Sequence, residues 1–145
     1  MPVTDDIVAI VRAYLEVDGE RAQRLLGTLD ASQNFAYQAM VAGTFMAAVT
    51  RKFNKHSSRD EIIDYVAQVR SRSEEMAESL DPSATERMIA SIYADEDIDD
   101  IDPRTVMNIE IFVAVAIVSD KEISGPDLDD FLATARKYAD QMLSR

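Results

Sequence analysis

Residues Thr105 to Val118, TVMNIEIFVAVAIV, constrain this chain most, because Asn108 and Glu110 are the only strongly polar side chains among them. A helix built from this stretch has no face free of apolar groups, so it has to be buried. Seven β-branched residues from Val106 to Val118 would also suit a buried strand, and periodicity alone does not separate the two for an apolar run. The flanks favour a helix. Asp102 is an N-cap residue, Pro103 follows at the favoured first helical position, and every other segment of the chain patterns as helix. The spacing therefore predicts a central helix over 103–119.

The remaining chain divides at its caps. Thr4, with Asp5 and Asp6 in the first turn, starts a helix over 5–17. Asp18-Gly19 interrupts it, and a short helix over 20–29 completes a hairpin. Ser32 opens a third helix over 33–53 that is nearly as apolar as the central one. Ser58 and Glu61 form a capping box for a fourth over 59–79, and Asp81-Pro82 starts a fifth over 82–94. The acidic stretch DEDIDDID, 95–102, leads into the central helix, and Ser124-Gly125-Pro126 begins a seventh helix over 124–142. The predicted fold is a single all-α domain over 1–145, a bundle of seven helices around two apolar ones, 33–53 and 103–119. Phe45, Met46, Val49, Ile109, Phe112, Val113, Val115, Ile117, Phe131 and Leu132 are the expected core. Truncating Phe112 to alanine there should cost about 3 to 5 kcal/mol.

Two pairs of segments resemble each other: FMAAV at 45–49 with FVAVA at 112–116, and SRDEIIDYVAQVR at 58–70 with SGPDLDDFLATAR at 124–136. They read either as two pseudo-symmetric helical hairpins or as capped amphipathic helices drawing on a shared small alphabet. Ala39, Gly43 and Ala47 repeat at four-residue spacing, a stripe over which another helix backbone can approach closely. Its partner is a helix of the same chain or, in a homodimer, of a second copy.

Composition narrows function. The 145 residues include 27 acids and 15 bases, a net charge of −12, which disfavours neutralising nucleic-acid phosphates. There is no cysteine, so thiol chemistry and thiolate metal sites are excluded. The start, MPVTDDIVAI, has no basic segment before an apolar core, and the uncharged run at 31–50 is too polar in its first half to span a bilayer. A cytoplasmic protein without membrane attachment is expected.

The chemistry-bearing residues are few. His56 is the only histidine, so a hydrolase triad and a carboxylate-bridged metal pair both lack members. No glycine-rich phosphate loop is present. Asp95, Asp97 and Asp99 match the opening ligand positions of a calcium-binding loop, but Asp100 stands where the glycine belongs and Val106 where the bidentate glutamate belongs. SDKEIS, 119–124, resembles the acidic turn of tellurite-resistance TerB-type helical proteins, with Lys121 in place of their glycine. No metal or other cofactor is expected. Glu110 falls among apolar positions on its helix and must be wet, paired or neutral. The expectation adopted is that its turn emerges into solvent or that an arginine pairs with it. Positive charge gathers at Arg51, Lys52, Lys55 and Arg59, negative charge at Asp95, Asp97, Asp99, Asp100 and Asp102. If the two apolar helices pack antiparallel, those turns meet at one end of the bundle.

These features favour a non-catalytic acidic module that presents a surface to a protein partner or to another copy of itself. The alternative is a small-molecule or metal-binding protein, or an enzyme, with a pocket near Glu110 beside Asn108. An acidic decoy for a nucleic-acid-binding protein would need its carboxylates arrayed over one face.

Overall fold

The caps written in the sequence fix most helix starts. In the computed structural model, which describes residues 2–145, the Thr4 hydroxyl accepts from the Ile7 amide to open α1 (Asp5–Leu15), and Asp18 accepts from Arg21 to open α2 (Gly19–Leu26). The third start differs from expectation. Asp30 and Gln33, not Ser32, form the reciprocal cap, over a 3-10 turn (Ala31–Gln33) that runs into α3 (Asn34–Lys52). Ser58 caps α4 (Arg59–Arg70) through the Glu61 amide, the serine half of the expected capping box, while no return bond from the Glu61 side chain to the Ser58 amide is made. The predicted single helix over 59–79 is two helices. Ser73 accepts from the Met76 amide and starts α5 (Glu74–Ser79) in a new direction. Arg70 holds that break by donating to the Leu80 and Ala77 carbonyls at 2.7 and 3.3 Å. Asp81 with Pro82 opens α6 (Pro82–Ala90), Asp102 with Pro103 opens α7 (Pro103–Asp120), and α8 (Gly125–Leu143) closes the order. Among the described residues there is no strand, and the chain is an all-α bundle of eight helices.

Two helices end in a left-handed residue that is not glycine. Val17 has φ 58°, with the Asp18 amide bonded back to the Ala13 carbonyl, and Glu122 has φ 52°, with Ile123 bonded back to Val118. Both terminations satisfy the last carbonyls in the manner glycine usually permits. Val17, β-branched and 76% exposed, carries strain there without compensating burial.

α3 is the spine. It packs against α8, α7 and α1, while α4 lies against α5 and α6. The Ala39, Gly43, Ala47 stripe is taken up inside the chain: a Cβ on Gly43 would lie 2.4 Å from the Ala135 carbonyl oxygen and 3.1 Å from the Ala139 amide nitrogen. Small residues on both helices thus set the α3–α8 approach, and the stripe is not free to serve as a dimer seam. The sequence-similar hairpins do not share a packing pattern either, because α8 runs along α3 whereas α4 has α6 as its main neighbour.

The two apolar helices run parallel, against the antiparallel expectation. Tyr37 and Gln38 share a groove with Pro103, Arg104 and Met107. Val41 and Thr44 share a cavity with Glu110 and Ala114. Lys52, at the end of α3, stands over the Tyr65 ring, whose hydroxyl donates to Asp120 at the end of α7. The chain achieves this by a return run. The Tyr93 hydroxyl donates to the Phe53 carbonyl at one end of α3, and the acidic segment then travels back to start α7 at the other. All-round hydrophobicity specified burial but carried no information about direction.

Burial of α7 is also one-sided. Ile109, Val113, Ala116, Ile117 and Val118 are buried, but Phe112 and Val115 are half-exposed, as is Met46 on α3. The other expected core residues, Phe45, Val49, Phe131 and Leu132 among them, are buried. No helix among the described residues is long and apolar enough to cross a membrane.

Candidate functional site

The outward side of α7 has too few neighbours to cover it. α2 packs on α1, and α5 touches α7; two grooves flank a ridge formed by Asn108 and Ile111, the second walled by Glu75 and Met76 of α5. The first has Ile98 and Ile101 from the acidic segment on one wall, Val106 and Met107 on α7, and Tyr14, Leu26 and Tyr37 opposite. The second runs past Val17, Met76, Phe112 and Val115. Tyr14 belongs to both.

Glu110 lies at the base of the first groove. Its side of α7 turns toward α1 and α3, where Val11, Leu15, Val41 and Ala114 leave it only 9% exposed. The cavity beside it holds about 10 Å³, room for roughly one water. Among the described residues no hydrogen bond or ion pair reaches its carboxylate; the Thr44 hydroxyl below donates instead to the Met40 carbonyl at 2.7 Å. Burial without a compensating charge pushes the Glu110 carboxyl up to about 8. The turn that carries Glu110 is thus packed into the fold and, among the described residues, no arginine pairs with it, while its carboxylate oxygens keep a small contact with solvent. Asn108 is exposed on the ridge.

Two tyrosines that the sequence did not single out complete the site. Tyr14 accepts from Gln23 at 2.9 Å. Tyr37 is itself buried, and that burial, then the neighbouring Tyr14, raises its phenol above the ordinary range. Their only sequence signal was an aromatic at an inward helical position, which reads equally well as core.

The charged turns are arranged differently from the expected end-to-end attraction. Arg51 lies over the Phe131 ring at 5.1 Å and Lys52 over Tyr65 at 4.9 Å, while Lys55 is exposed. Arg59 alone crosses to the acidic segment, with two bonds to Glu96 at 2.9 and 3.3 Å. The main partner of that segment is Arg87 of α6, which pairs with Asp100 and also donates to the Asp97 carbonyl. Asp97 accepts from the Asp99 amide, Asp102 caps α7, and Asp95 is exposed. These carboxylates are dispersed as staples and caps; among the described residues no three metal-binding side chains converge.

In the turn that follows α7, Asp120 accepts from Tyr65 at 2.9 Å and Arg72 at 2.8 Å. Burial pushes its carboxyl up, but those two hydrogen bonds with the charges of Arg72 and Lys52 outweigh burial and hold it below the usual carboxylate range. Comparison of the chain with family models, with curated proteins and with solved structures finds no match.

Proposed function

We propose that the protein is a non-catalytic binding module whose grooves beside α7 receive the apolar face of a basic amphipathic helix from a protein partner. The observation that carries this reading is the band of partly buried Val106, Met107, Ile111, Phe112 and Val115 that lines these grooves on the most apolar helix of the chain. From Val106 to Val115 it extends about 14 Å at 1.5 Å per residue, the reach of anchors at i, i+4 and i+7 on a docked helix. The partner's charge follows from the net charge of −12 and from Glu75 and Asp99 on the groove margins. A second copy of this chain carries the same −12 and meets electrostatic opposition, so a heterologous partner is favoured over a homodimer.

The test is fluorescence anisotropy with a labelled amphipathic leucine–lysine peptide and a scrambled peptide of equal composition. Saturable binding that favours the amphipathic order, weakened more than about tenfold in Phe112→Ser with Val115→Ser, supports docking at α7. Equal binding of the scrambled peptide, or binding indifferent to those substitutions, refutes it. Light scattering on the free protein decides the homodimer.

A further inference from the structure

Glu110 is a residue nine-tenths buried that lines an open groove, and among the described residues no hydrogen bond or ion pair reaches its carboxylate, whose oxygens keep a small contact with solvent. The hydrogen bonds nearby go elsewhere: the Thr44 hydroxyl donates to the Met40 carbonyl, the Tyr14 oxygen accepts from Gln23, and no bond from Tyr14 or Tyr37 reaches Glu110. What the site lacks is a compact positive donor. Its walls suit one, because aromatic ring faces such as those of Tyr14 and Tyr37 attract cations, and the groove continues as an apolar channel past Met107 and Ile111. An anion would have to approach a chain of net charge −12.

We propose that the groove floor at Glu110 is a binding site for a primary ammonium carried on an apolar stem, the ammonium meeting the Glu110 carboxylate between the two tyrosines. The stem lies against Val106, Met107 and Ile111. The inference shares the first groove with the docking surface but needs neither Phe112 nor a protein partner, so the two fail independently. A free alkylamine and a lysine side chain carry the same recognised chemistry.

Protonation makes the proposal measurable. At pH 7 the Glu110 carboxyl, raised to about 8 by burial, is mostly neutral. Binding of R–NH3+ therefore forms the ion pair R–NH3+···−OOC and releases the carboxyl proton to solvent. The titratable or charged groups lining the groove from the packed elements are Tyr14 on α1, Tyr37 on α3, Asp99 in the acidic segment and Arg104 on α7. Burial, then the neighbouring Tyr14, pushes the Tyr37 phenol above its ordinary range, away from this window. Glu110, raised to about 8, is the groove group whose shift falls between pH 7 and 9.

Isothermal titration of the full chain with hexylamine, 1-hexanol and N-acetyl-lysine methylamide tests it. Expected are saturable binding of hexylamine, release of close to one proton at pH 7 read from buffers of different ionisation enthalpy, and affinity rising about tenfold from pH 7 to 9. Glu110→Gln, near-isosteric and neutral, should lose at least tenfold for hexylamine, while Phe112→Ser should not. Binding of the lysine derivative with the same Glu110 dependence assigns the site to a side chain as well as to a free amine; its failure beside hexylamine binding assigns it to free amines. Equal affinity for 1-hexanol, affinity unchanged in Glu110→Gln or falling with pH, or binding of neither amine overturns the proposal.

Discussion

Replacing Glu110 by glutamine should make the protein more stable at neutral and alkaline pH and should leave stability near pH 4 almost unchanged. In the unfolded chain the carboxyl titrates at its ordinary value of 4.5, whereas in the fold burial raises it to about 8. Between those values the folded state holds a proton that the unfolded state has released. Stability therefore falls as pH rises through the window, and the loss is complete above pH 8. Each pH unit inside it is worth about 1.4 kcal/mol, so wild type should lose roughly 3 kcal/mol between pH 4.5 and 7 from this residue alone. That is a large part of the 5 to 15 kcal/mol by which a domain is typically stable. Glutamine fills the same space, has no proton to lose, and removes this slope. Urea midpoints followed by far-UV circular dichroism at half-unit steps from pH 4.5 to 8.5 give both curves, and their difference cancels the general repulsion of an acidic chain. Parallel curves, or a variant less stable at pH 8, would mean that Glu110 is solvated or paired and that its burial has been misread.

Three further substitutions probe the packing. Gly43→Ala places a methyl 2.4 Å from a backbone oxygen of α8, so it must push the two helices apart and should cost about 1 to 3 kcal/mol in denaturant titration; a neutral result would contradict the close α3–α8 approach. Phe112→Ala, on a half-exposed residue, should cost about 1 to 2 kcal/mol in the same assay, less than the 3 to 5 kcal/mol of a core phenylalanine. Val17→Gly relieves a left-handed conformation at an exposed side chain and should raise stability by up to about 1 kcal/mol. A drop in its melting temperature would assign Val17 a packing role.

The sequence was most informative where local chemistry decides. Ser58, Asp81 and Asp102 cap the helices their neighbours predict, because an N-cap needs only residues within three positions. The break after Arg70 was missed although Ser73 carries a cap, since Met76 and Leu80 continue the apolar spacing across it and periodicity does not register a change of direction. The α3–α7 orientation depended on where residues 94–102 run, and a charged connecting segment has no periodic signal. Glu110 was legible as a residue to watch. Its environment was not, because whether a carboxylate emerges or stays buried depends on how far α1 covers it, a matter of tertiary packing. Tyr14 and Tyr37 were hidden for the same reason.

The parallel course of α3 and α7 bears on how the chain is made. Both principal partners of α3, α7 and α8, come from the last third of the sequence, so a ribosome that has released residues up to about the acidic segment has exposed the spine with only α1 and the preceding turn to cover it. Domains emerging from the N-terminus ordinarily begin to fold as they appear. Here the most apolar early helix must wait for the C-terminal pair, and the long-range contacts it awaits are slow to close. A nascent chain stalled before residue 103 is consequently the species most exposed to aggregation and most dependent on chaperone protection.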